Sequence, residues 1–115
     1  MIEEMGNKKL QIIFDALDDK KAENISVIDI SEITILADCF VIASGLNPNQ
    51  IHAMADAVEE KMSKAGYSPR SVEGYRNANW ILMDYEDIVV HIFDKESRAF
   101  YDLERIWSDG KRLQL

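Results

Sequence analysis

The stretch from Asn79 to Trp107, NWILMDYEDIVVHIFDKESRAFYDLERIW, carries two apolar extended segments that meet at an acidic turn and lead into an aromatic-bearing helical segment. Side chains alternate across a pleated strand, so Trp80, Leu82 and Asp84 point to one side and Ile81 and Met83 to the other. With Tyr85, Glu86 and Asp87 as the turn, Ile88, Val90 and Ile92 are expected to join the Trp80 face across the ladder, and Val89, His91 and Phe93 the opposite face. Both faces are then apolar, and a sheet apolar on both sides needs cover on both sides. A chain of 115 residues reads as one compact domain, 1–115 with its core over about 10–110, and has few helices to provide that cover. A flank bearing Trp80, Leu82, Asp84, Val90 and Ile92 is therefore expected to remain for a partner's surface.

The rest of the chain supplies the other elements. From Glu3 to Lys21, Leu10, Ile13, Phe14 and Leu17 recur at helical spacing and predict an amphipathic helix. Asn24 to Ile30 reads as a strand and Ser31 to Thr34 as a turn. Asp38 to Gly45, DCFVIASG, is a short continuous apolar run typical of a central strand. A helix start follows, with Asn47 as N-cap, Pro48 at the first helical position and Gln50 placed to complete a capping box. Ile51, Met54, Ala55, Val58 and Met62 form its apolar stripe, and Gly66 should end it in a left-handed cap. A brief strand is expected over Ser71 to Gly74. Asp94 caps a last helix over Glu96 to Trp107, with Phe100 and Leu103 toward the sheet and Tyr101 reaching outward, and Lys111 to Leu115 forms a loose or edge-packed tail. The sum is an α/β (mixed α+β) fold: a single mixed sheet of about five strands with helices packed on it.

Charge narrows the function. A net charge of −8 forfeits the counterion release that drives most nucleic-acid binding, so no direct nucleic-acid contact is expected, whereas a basic protein partner would be attracted. No basic apolar leader is present and no run approaches the ~20 apolar residues that span a bilayer, which predicts a cytoplasmic chain without membrane contact. Cys39, flanked by Phe40, Val41 and Ile42, reads as a buried thiol. Asp84, Asp87, His91 and Asp94 invite a metal reading, but Asp84 and His91 face opposite sides in the register above. Ser44-Gly45-Leu46-Asn47 before a helix could suggest phosphate binding, yet the glycines and lysine of a P-loop are lacking. No catalytic, cofactor or metal site is expected. The competing reading is a nucleotide-binding or nucleotidyltransferase-like enzyme with its site at Ser44, Gly45 and Asn47 near Asp84 or Asp94.

Five ordered blocks, ADCFVIASG, the helix from Pro48 to Gly66, Glu73-Gly74, NWILMDYEDIVVHIF and SRAFYDLERIWSDG, resemble the ribosomal silencing factors of the Iojap-related type over about Leu10 to Gly110. The resemblance implies a nucleotidyltransferase-like topology without that enzyme's active site. It also implies a translational repressor that binds the large ribosomal subunit through its fourteenth protein and blocks joining of the small subunit. By the same likeness Trp80, Asp84 and Tyr101 belong to the partner-binding surface, and Trp80→Ala is expected to weaken binding by roughly 2 kcal/mol or more while leaving the fold intact. The family commonly has glycine where this chain has Glu86, so a positive φ there would be strained. An uncovered apolar face or sheet edge further predicts a homodimer.

Overall fold

The structure, a computed structural model, describes residues 4–115. It contains α1 (Glu4–Asp19), β1 (Glu23–Asp29), β2 (Cys39–Gly45), α2 (Pro48–Lys64), β3 (Ser71–Glu73), β4 (Trp80–Asp84), β5 (Ile88–Asp94), α3 (Lys95–Tyr101), α4 (Leu103–Ile106) and β6 (Lys111–Leu113). Glu3, at the expected start of the first helix, lies outside the described residues. The strands form one mixed sheet in the order β3-β4-β5-β2-β1-β6. Among the described residues only the central pair β2 and β5 runs parallel, Cys39 opposite Ile88 through Gly45 opposite Asp94. The sheet has six strands rather than about five, because the tail, expected to be loose or edge-packed, pairs at the edge as β6 with β1, Leu113 opposite Val27.

Local chemistry sets the element ends. Asn47 caps α2 by accepting from the Gln50 N–H at 2.8 Å. The Gln50 carbonyl oxygen accepts from the Leu46 N–H at 2.6 Å, and its amide donates to the carbonyls of Lys20 and Lys21. The capping side chain thus also ties α2 to the end of α1. Gly66, at φ 92°, follows the C-cap as expected. The last helix is not continuous: Asp102 adopts a left-handed φ of 49° and divides it into α3 and the single turn α4. Residues three apart share a face of a continuous helix; with the break between them, Phe100 of α3 faces outward at 80% exposure, contrary to the expectation that it faces the sheet, while Leu103 packs against the sheet.

The two faces of the sheet differ in their cover. On one, α1 and α2 bring Leu10, Ile13, Leu17, Met54, Val58 and Met62 onto Val41, Ala43, Ile81, Met83, Val90 and Ile92, forming the main core. On the other, α3 and α4 reach only part of the surface, where Leu103 and Trp107 pack near Ile28, Ile30, Ile42 and Phe93.

The hairpin register differs from expectation by one residue. Trp80 lies opposite Phe93, Leu82 opposite His91 and Asp84 opposite Val89. The turn is Glu86-Asp87, closed by the Tyr85 N–H donating to the Ile88 carbonyl at 2.9 Å, not the three residues Tyr85 to Asp87. A one-residue slip moves every side chain to the other face. Val90 and Ile92, expected beside Trp80, are therefore fully buried on the α1–α2 side. Burying such a side chain is worth about 1.5–3 kcal/mol, so they belong to the core and not to a docking surface. Glu86 sits at φ 74°, the first position of a two-residue turn, where glycine carries no steric penalty. Glu86→Gly should therefore raise unfolding free energy by about 1 kcal/mol, the left-handed penalty less glycine's added unfolded-state entropy, measurable by urea unfolding.

Candidate functional site

The part of the second face that α3 and α4 leave open is made by β4 and β5 with an edge of β2. Trp80, Leu82 and Asp84 alternate outward from β4, Val89 lies beside Asp84 and opposite Phe40 of β2, and all five are half-buried. Tyr101, 43% exposed, and Phe100 stand over one end of this surface from α3. Of the residues expected at the site, Trp80, Leu82, Asp84 and Tyr101 are brought to one side of the sheet; Val90 and Ile92 are not. Val89, Phe40 and Phe100 lie there instead: Val89 follows once the turn is counted as two residues, and Phe40 comes from the parallel pairing of β2 with β5.

Trp80 is an ordered platform. Its indole stacks on Phe93 with ring centroids 5.1 Å apart and meets Tyr101 at 4.6 Å. Its Nε1–H donates to His91 Nδ1 at 3.0 Å. The position of Trp80 depends on Gly74, which at φ 77° passes so close that a Cβ there would collide with the Trp80 carbonyl oxygen. Asp84 is already engaged: one carboxylate oxygen accepts from Arg70 at 2.8 Å and the other from the Glu86 N–H at 2.8 Å. A partner's cation would have to share Asp84 with Arg70, itself largely exposed.

His91 lies beneath this surface, buried at the middle of β5. Burial pushes its pKa down to about 4 from 6.5, so the folded chain keeps the imidazole neutral where the unfolded chain would protonate it. Between pH 6.5 and about 4 the unfolded state binds more protons, and stability must fall as the pH falls through that window. At 1.36 kcal/mol per pKa unit the full loss is about 3 kcal/mol. Urea unfolding at pH 7 and pH 4.5 checks it, and His91→Leu should flatten the slope.

The register also places Asp84 and His91 on the same face, contrary to the geometry that argued against a metal. Among the described residues, however, no three His, Cys, Asp or Glu side chains are grouped to hold an ion. Cys39 is buried, and its thiol is pushed up to about 12 by burial and by the nearby charge of Asp29. The carboxyl ends of the parallel strands, where a nucleotide would be expected in an open α/β sheet, are filled from within. Gln50 and Asn47 take up helix-start amides of α2, Asp94 caps α3 through the Ser97 N–H, and Arg98 occupies Ser44 Oγ at 3.1 Å. No helix among the described residues is long and apolar enough to cross a membrane.

Comparison with known proteins adds to this geometry. Residues 3–115 match the family model described as ribosomal silencing factor during starvation. The chain is 38% identical over 112 residues, covering 96% of both chains, to the ribosomal silencing factor of Halalkalibacterium halodurans. It is 38% identical over 101 residues to that of Bacillus subtilis, covering 88% of this chain and 86% of the relative. A crystal structure of a Chromobacterium violaceum protein superposes with a TM-score of 0.87 at 30% identity, covering 95% of this chain and 90% of that one.

Proposed function

Since the chain belongs to the ribosomal silencing factor family, and its role is accordingly ribosome silencing, we propose that it acts by docking the open flank of its sheet on a basic protein of the large subunit. By the family likeness that protein is the fourteenth, and the docked factor stands where the small subunit would join. The observation that carries this reading is the half-covered second face, on which Leu82 and Trp80 stay half-buried and Tyr101 of α3, 43% exposed, meets the Trp80 indole from one side only. Anchors of this kind, aromatic and partly desolvated before docking, dominate interface energies. The net charge of −8 would steer a positively charged partner toward the chain and repel exposed RNA. Repression then needs occupancy and no turnover.

The test is subunit joining. Large subunits saturated with the protein and then mixed with small subunits should give few joined particles on a sucrose gradient, and joining at the unliganded level with the factor still bound would overturn the steric mechanism. The same bare flank would let copies of the chain pair, since the two edge strands offer only three residues each. A mass by light scattering that rises with concentration, and does so less in Leu82→Asp, is the expected result.

A further inference from the structure

On the docking reading, what matters at Trp80 is how its indole is held. We propose that His91 is a positioning residue for docking: its bare Nδ1 pins the Trp80 indole in the orientation that a partner meets. The inference rests on that reading but is carried by separate geometry. Phe93 and Tyr101 both touch the indole, with centroids at 5.1 and 4.6 Å, and ring contacts of this kind do not by themselves fix which edge of the indole a rotation about Cβ–Cγ turns toward the sheet. The 3.0 Å bond from Nε1–H to His91 Nδ1 fixes it.

An indole N–H can only donate, so Nδ1 must be unprotonated and the imidazole's hydrogen must sit on Nε2. Nε2 is buried and has no hydrogen-bond partner among the described residues. A buried unpaired N–H is costly, and a leucine would fill this place without that cost. What the histidine supplies and an apolar side chain does not is the acceptor for Trp80. Protonation of Nδ1 would set donor against donor and release the indole.

The neighbours facing His91 are apolar: Leu82 and Trp80 from β4, and Phe40 and Ile42 from β2, with Phe93 and Val89 flanking it on β5 and Trp107 beyond Phe40. The charged groups sharing this face are Asp84, held by Arg70, Glu73 on β3 opposite Leu82, and the Arg98–Glu104 pair with Arg112 at the Ser26–Ser44 end beneath α3 and α4. None of them replaces Trp80 as partner to Nδ1.

The experiment combines co-sedimentation with purified large subunits and the indole cross-peak of Trp80 in a nitrogen–proton NMR spectrum, assigned with Trp80→Phe. His91→Leu should bind about tenfold more weakly, the worth of one hydrogen bond at an anchor, with the cross-peak moved toward its solvent-exposed position. His91→Asn, whose carbonyl oxygen lies near the place of Nδ1, should bind within about twofold of the parent. In the free parent protein the cross-peak should shift with a midpoint near pH 4, and in His91→Asn it should not. A folded His91→Leu that binds like the parent, or a cross-peak that does not move as His91 titrates, would overturn the proposal. If His91→Leu does not fold, His91→Asn and the acid titration decide. If the parent itself fails to bind large subunits, the docking reading falls, while the cross-peak still reports whether His91 holds the indole.

Discussion

Arg98→Ala should lower the stability of this protein by about 3 kcal/mol, the low end of the range for removing one partner of a buried ion pair, since this pair is partly buried. The guanidinium reaches from α3 to Glu104 Oε1 at 2.9 Å, to the carbonyls of Glu23 and Asn24 at 3.2 and 2.6 Å and to Ser44 Oγ at 3.1 Å. Asn24 lies in the irregular stretch between Glu23 and Ser26 and has no partner in the β1–β2 register, whereas the Glu23 carbonyl also accepts from Ser44 Oγ at 3.4 Å. The side chains of Arg98 and Glu104 are only 13% and 24% exposed. Alanine would leave the Asn24 carbonyl without this donor and Glu104 with Ser26 and Arg112 alone. Arg98→Lys keeps the charge but not the planar fork that serves several acceptors at once, and should recover less than half the loss in urea unfolding.

The same cluster has an acid signature. Burial works to raise the Glu104 pKa, but the hydrogen bonds from Arg98 and Ser26 and the charges of Arg98 and Arg112 prevail and hold it below 4.5. That stabilisation is present above the unfolded value and is lost as the pH falls through the lowered one. In Arg98→Ala this part of the acid loss should shrink.

Trp80→Ala should weaken binding to large subunits by about 2–4 kcal/mol, or thirtyfold and more, as for a central aromatic anchor. The structure adds a cost that the sequence did not suggest. Because the indole also packs on Phe93 and partners His91, the substitution should cost a further ~3 kcal/mol of folding stability, in line with truncation of a large, partly buried aromatic. The fold is thus not left untouched, and the binding loss must be measured on protein shown to be folded. Tyr101→Ala separates the two effects: at 43% exposure it should weaken binding while shifting stability by about 1 kcal/mol or less.

Much of the architecture was legible because its signals are local. The Asn47-Pro48-Gln50 start, the Gly66 stop and the stripe from Ile51 to Met62 each report a single helix, and DCFVIASG announced a central strand. The hairpin was not legible in full because its register depends on one torsion. Read as a three-residue turn, the acidic tip puts Val90 and Ile92 beside Trp80; with Glu86 at φ 74° the turn takes two residues and puts Val89, His91 and Phe93 there instead. Glycine at that position would have announced the tighter turn, and glutamate hides it. The break at Asp102 was hidden for a similar reason, since a left-handed aspartate in a helical pattern has no periodic signature. It lets Leu103 face the sheet while Phe100, three residues earlier, faces outward. The tail became β6 through pairing with β1, a long-range contact that three residues of weak strand propensity do not declare.

The open flank is the centre of this account, and Leu82 tests it most directly, being half-buried on the Trp80 side of β4 and remote from the α1–α2 core. Purified parent protein, Leu82→Asp and a control changed on the exposed side of α2, Glu60→Ala, should be sedimented with purified large subunits. The account predicts that parent and control pellet with the subunits and that Leu82→Asp, folded by its circular dichroism, stays in the supernatant. Co-sedimentation of folded Leu82→Asp at the parent's level would contradict it.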